Sequence, residues 1–192
     1  MCDVPVLYAT TEGQTRRIAE RVAHHLRERG FEAVALAVDS PEASTIAWNR
    51  VRGVCLGASL HIQRHQSAAL RFAQAHRAEL SACPSLFFSV SLSAASKISD
   101  ERLAAERLAA DFPRQAGWQP SRVASVAGRL AYTRYGFLTR WFMRRIARKE
   151  AASDDVTRDH EYTDWTQVAT LAHELADAIT ARQGVDRPRK TA

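Results

Sequence analysis

Val4-Pro5-Val6-Leu7-Tyr8-Ala9, an apolar run of strand type, leads straight into Thr10-Thr11-Glu12-Gly13-Gln14-Thr15. A helical pattern starts at once, with Ile18, Ala19, Val22, Ala23 and Leu26 on one face and Gly30 where a helix-ending glycine belongs. A strand that turns into a helix through a short loop of hydroxyls and glycine is the opening unit of a sheet with helices packed on its faces. The rhythm then repeats. Residues 31–38, 51–58, 85–92 and 122–130 read as further strands. Ala69, Phe72, Ala73, His76 and Leu80 mark a helix between the third and fourth, and Ser99 is read as the cap of another beginning Asp100-Glu101-Arg102-Leu103. Val168, Leu171, Ala172, Leu175 and Ile179 form the stripe of a last helix that starts at Thr163-Asp164. Five strands alternating with helices predict an α/β fold, a three-layer sandwich around a five-stranded parallel sheet of order 2-1-3-4-5. The connection 131–162 far exceeds the usual length of about 2–6 residues and reads as an insertion between the last strand and the last helix. Residues 1–182 are thus expected to form one domain, followed by a basic tail, 183–192, with no apolar periodicity.

The chain has 192 residues, of which 46% are hydrophobic, enough to fill the core of one domain. No run approaches the roughly 18 consecutive apolar residues a spanning helix needs. Cys2, Cys55 and Cys83 show no C-x-x-C spacing, which argues against a disulfide framework and a zinc site. The first residues lack the features of a secretory leader. A soluble, reduced, cytoplasmic domain is the expectation.

The loop 10–15 directs backbone N–H groups and hydroxyls into one small volume at the positive end of a helix. That suits a phosphate, and Gly13 lets the backbone come close to it. The same residues also suit a Thr-capped strand–helix turn, and spacing leaves both readings open. The absence of G-x-G-x-x-G argues against a Rossmann dinucleotide site, and the missing Gly-Lys-Ser/Thr excludes a Walker A site.

Residues 129–149 carry seven basic side chains, no acid, and five of the fifteen aromatics (Tyr132, Tyr135, Phe137, Trp141 and Phe142). On a helical wheel Phe137, Leu138, Trp141, Phe142 and Ile146 share one half, with Arg140 and Arg144 opposite. Such a segment suits an anionic membrane surface, or a plain helix with its aromatics in a core. A single-strand nucleic-acid groove would look similar, but no recognised motif accompanies it, and no nucleic-acid partner is expected. Removing the +7 of this segment and the +3 of residues 182–192 from the net charge of +6 leaves −4 for the remainder.

Thr-x-Glu-Gly-Gln-Thr after an N-terminal strand resembles the FMN-phosphate loop of flavodoxins. Together with Gly57-Ala58-Ser59, Ser89-Val90-Ser91-Leu92, Gly117-Trp118-Gln119-Pro120 and Tyr162-Thr163-Asp164-Trp165, it makes about residues 4–180 similar to the bacterial quinone-dependent protoporphyrinogen IX dehydrogenase family. The resemblance implies a flavodoxin-like fold that binds FMN. Thr10, Thr11, Glu12, Gly13, Gln14 and Thr15 would hold its phosphate; Ala58, Ser59, Leu60 and His61, with Ser91, Leu92, Ser93 and Ala94, would flank its ring. It further implies oxidation of protoporphyrinogen IX to protoporphyrin IX in haem biosynthesis. Menaquinone or ubiquinone would be the acceptor, and the protein would sit peripherally on the inner face of the cell membrane. Arg134, Tyr135, Phe137, Arg140, Trp141, Arg144 and Arg145 would meet the membrane or the propionates of the porphyrin, since Arg pairs carboxylates bidentately. The alternative is a flavodoxin-like electron carrier or general FMN quinone reductase with no porphyrin role. Carriers of that kind are usually acidic, whereas this chain is basic overall.

Glu12 stands where flavodoxins usually have a hydroxyl residue. A carboxylate beside a phosphate repels it, so Glu12 is expected to point outward. Residues 58–65 offer no Trp or Tyr to stack on a flavin, which leaves His61 or Leu60 to cover that face. The catalytic base is not readable. His61 and His65 are the histidines in a predicted ligand loop, and a neutral imidazole accepts a proton near pH 7, but both also read as solvent-facing. His76 reads as packed, and His24, His25 and His173 as helix-surface residues. Asp154, Asp155, Asp159 and Glu161 match no EF-hand spacing and read as a solvated acidic loop; no metal is expected.

Overall fold

A computed structural model describes residues 2–61, 63–130 and 160–185. In chain order these form β1 (Val4–Ala9), α1 (Gln14–Glu28), β2 (Ala33–Ala37), α2 (Pro41–Ser44), β3 (Val54–His61), β4 (Arg64–His65), α3 (Ser67–Ala75) and α4 (Arg77–Ser81). There follow β5 (Ser85–Ser91), α5 (Ser99–Ala116), β6 (Arg122–Ala127), β7 (Arg129–Leu130), β8 (His160–Glu161) and α6 (Trp165–Val185). The parallel strands lie in the order β2-β1-β3-β5-β6, which is the expected 2-1-3-4-5 when they alone are numbered. Register is set by pairs such as Val6↔Cys55, Gly57↔Phe88 and Phe88↔Ala124.

Alternation along each strand sends its side chains to two separate cores. Val4, Val6, Phe88, Val90 and Val126 meet α1 and the α6 stripe Val168, Leu171, Ala172, Leu175 and Ile179. Leu7, Leu56, Ala58 and Phe87 meet the helices α2 to α5 on the other side, through Ala69, Ala73, Leu80 and Phe112. Gly57 is a packing requirement, because a Cβ there would lie 2.1 Å from the Phe88 ring.

Several boundaries differ from the sequence expectation, each for a local reason. The third strand runs over 54–61 rather than 51–58. Val51 closes a 3-10 turn (Trp48–Arg50), and Val54 is the first residue bound to the β5 side, through Pro84. Its far end is longer because β4 folds back on it, pairing Leu60 with His65 and His61 with Arg64. Residues 58–61, read as loop, are therefore strand and hairpin. Phe31 lies outside β2 because its N–H still bonds Leu26 at the end of α1. The helix expected through Leu80 breaks at His76, whose ring packs against Phe72 and Trp48. Ser99 is the first residue of α5 rather than its cap, Ile98 being the cap residue. The Ser96 hydroxyl accepts from the Ile98 N–H and donates to Glu101. The fifth strand is interrupted at Gly128, whose N–H bonds Ser91 O, so β7 leaves the main sheet and pairs with β8. The last helix continues past residue 182 to Val185, with Gln183 accepting from Arg52. No helix among the described residues is long and apolar enough to cross a membrane.

Candidate functional site

The order of the strands reverses between β1 and β3, so the chain leaves β1 toward one face and β3 toward the other. This switch point, at the carboxyl ends of the strands, is where sheets of this kind bind ligands. The loop 10–13, the β3–β4 hairpin and the turn after β5 converge on it.

Thr10 and Gly13 shape the first wall. Thr10 Oγ1 accepts from the Gly13 N–H at 2.9 Å, closing a tight turn. Gly13 precedes α1 with φ +88°, a left-handed conformation that favours glycine, and a Cβ there would meet nothing within 4 Å. No side chain caps the helix, and its first backbone bond runs from Arg17 N–H to Gly13 O. The N–H groups of the first turn thus precede any intrahelical bond and carry the positive end of the helix dipole. Thr15 sits in that turn, 1% exposed, and its Oγ1 is buried with no hydrogen-bond partner among the described residues. A buried hydroxyl without a partner costs about 1–3 kcal/mol, which an external acceptor would recover. These are the features a phosphate group needs, so the residues present fit the phosphate end of FMN.

Not every residue of the loop turns to the switch point. Gln14 Nε2 donates to Glu161 Oε1 and to Thr163 Oγ1, both at 2.9 Å, and Gln14 Oε1 accepts from Arg17. Its side chain therefore ties α1 to the β8–α6 junction, and only its backbone faces the loop. Thr163 in turn donates to Ala127 O. These bonds hold both ends of the segment 131–159 at the carboxyl edge of the sheet, beside the loop 10–15. The residues Arg134, Tyr135, Phe137, Arg140, Trp141, Arg144 and Arg145 lie outside those described.

Glu12 is half-buried. Burial raises its carboxyl above the ordinary carboxylate range, and the opposing His61 lowers it again by a smaller amount. A raised carboxylate resists ionisation in the folded protein, so its charge becomes a cost as pH climbs past about 4.5. An incoming phosphate adds to that cost. Glu12→Gln should bind FMN several-fold more tightly than the parent at pH 8, with the difference shrinking as the pH is lowered and Glu12 protonates. Flavin titrations of both proteins across that range measure it. An unchanged ratio at all pH values would show that Glu12 does not face the phosphate.

The second wall is the β3–β4 hairpin, turned at Gln63 with φ +59°. His65 is directed inward rather than to solvent. Its Nε2 lies 2.8 Å from Ser89 Oγ, and its ring packs edge-on to Phe87 and Phe112. Burial pushes its pKa down to about 4, so it is a neutral packing residue at physiological pH. His61 remains half-buried at the hairpin tip. Gln66, which no pattern in the sequence singled out, donates to Thr11 Oγ1 and Ser59 Oγ. On the third side Ser91 Oγ accepts from the Ala94 N–H, and Leu92, Ser93 and Ala94 are half-buried around a 3-10 turn.

The flavodoxin domain family matches residues 5–157. The chain is 34% identical over 171 residues to protoporphyrinogen IX dehydrogenase (quinone) of Escherichia coli strain K12, covering 89% of this chain and 93% of that protein. It is 32% identical over 171 residues to the protein of the same name from Leishmania major, covering 89% and 73%. Among solved structures, oxidised flavodoxin 1 from Bacillus cereus superposes with a TM-score of 0.53 at 18% identity, over 91% of this chain and 97% of that one, a likeness of fold.

Proposed function

The chain belongs to the flavodoxin domain family and, within it, to the protoporphyrinogen IX dehydrogenases, and from that premise we propose that it oxidises protoporphyrinogen IX with FMN and a quinone. The observation that carries the cofactor assignment is the buried, unpartnered Thr15 hydroxyl at the open end of α1. When bound, FMN supplies the redox chemistry, taking hydride equivalents from the porphyrinogen and yielding electrons to the quinone.

The chain's residues bind and orient. The first-turn N–H groups of α1 and the Thr15 hydroxyl hold the phosphate, with Thr10 keeping the turn closed behind them. Ala58 to His61 on β3 and Ser91 to Ala94, at and just past the end of the neighbouring β5, line the ring and fix its orientation. Leu60 and His61 supply the cover that an aromatic side chain gives elsewhere. His61 is the histidine retained as a proton acceptor, because His65 is committed to Ser89 and stays neutral. The basic, aromatic residues of 129–149 bind the substrate propionates and the anionic membrane surface. A lipophilic quinone resides in the bilayer, so a protein that reduces it must work at that surface. Menaquinone and ubiquinone both satisfy this chemistry.

Anaerobic protoporphyrinogen oxidation by the FMN-loaded protein, with quinone added or withheld, tests the assignment. Turnover that requires the quinone is expected. FMN binding without porphyrinogen oxidation would overturn the substrate and favour an electron carrier or general quinone reductase.

A further inference from the structure

Gln66 is the residue before α3, and its backbone is held by the helix, whose Leu70 N–H bonds Gln66 O. From this fixed base its side chain reaches back across the switch point. Nε2 donates one hydrogen to Thr11 Oγ1 at 2.6 Å and lies 2.8 Å from Ser59 Oγ, its second acceptor. Thr11 belongs to the loop after β1 and Ser59 to β3, so one amide joins the two walls of the site. Neither wall can move away without leaving an amide hydrogen unpaired. The neighbouring His65 cannot follow such a movement, being bonded to Ser89 and held against Phe87 and Phe112.

We propose that Gln66 is a positioning residue that couples the phosphate end of the flavin site to its ring end. A phosphate that orders the loop 10–15 thereby also orders the β3–β4 hairpin, and the two halves of the ligand bind cooperatively. The inference rests on the FMN reading above. Coupling of this kind is reciprocal and has a measurable size. A charge contact across the same gap would differ from the Gln66 bond in being screened by salt.

The test uses the full-length chain stripped of flavin, with riboflavin as the ring probe and inorganic phosphate as the other. Saturating phosphate should tighten riboflavin binding by about fivefold or more in the parent protein. Gln66→Leu and Thr11→Val should each reduce that factor below about twofold, and the double variant should lose nothing further, the signature of one shared interaction. The coupling should persist in about 0.5 M NaCl, where charge attraction is screened within about 4 Å. Thermal melts check folding, and Thr11, being exposed, carries the test if Gln66→Leu is unstable. Equal coupling in parent and variants, or independent binding of the two probes in a parent that binds FMN, would overturn the proposal. A parent that binds no FMN would overturn the cofactor reading and this inference with it.

Discussion

Replacing Thr15 with Val should raise the FMN dissociation constant roughly 10- to 150-fold and, in the same protein, raise the melting temperature of the FMN-free form. The first effect is the loss of a hydrogen bond to a charged group, worth about 1.5–3 kcal/mol. The second has the opposite sign and comes from the same atom. Without ligand, Thr15 Oγ1 is buried with no partner among the described residues, so the folded protein carries the desolvation penalty of that hydroxyl. Valine keeps the β-branched shape and a similar helix propensity while removing it. Flavin titration and paired thermal melts measure both quantities. A Val variant with unchanged FMN affinity would remove Thr15 from the phosphate site. One whose FMN-free form melts lower would show that the hydroxyl has a partner.

The other large effect is expected from replacing residues 133–150 with a short Gly-Ser linker. FMN binding should survive, because the walls proposed for its site, 10–15, 58–66 and 91–94, lie outside the deletion. The ends of the deletion are spanned by the pairing of Arg129 with Glu161 and of Leu130 with His160. Porphyrinogen turnover should fall at least about 100-fold, which loss of two charge-assisted carboxylate contacts at about 1.5 kcal/mol each would produce. Flotation with anionic vesicles should be lost as well, since the deletion removes six basic residues and one acidic residue. Retained turnover together with retained vesicle binding would show that the segment serves neither substrate nor membrane.

Much of the fold was legible because its determinants are local. The alternation of apolar runs with helical stripes placed all five parallel strands, and the stripes Ile18 to Leu26 and Val168 to Ile179 are the buried faces of α1 and α6. The strand–turn–helix unit around residues 10–15 was legible for the same reason, being contiguous in sequence. Motifs were less informative about roles. Gly117-Trp118-Gln119-Pro120 was read as part of the family resemblance, yet Trp118 is 1% exposed and donates to Leu80 O and Ser85 Oγ at the opposite end of the sheet from the loop 10–15. It is packing, which residue identity alone does not distinguish from binding.

By itself the sequence determined the order of elements and the strand–loop–helix unit around residues 10–15, since periodicity and a contiguous motif need no knowledge of the rest of the chain. Only the tertiary structure decided where individual polar side chains go. Gln14 turns to Glu161 and Thr163, His65 turns inward to Ser89, and Gln66 reaches Thr11. Each of these bonds joins residues far apart in the chain, and each direction is set by which strand or helix the fold brings alongside. No spacing rule along the chain encodes that neighbour.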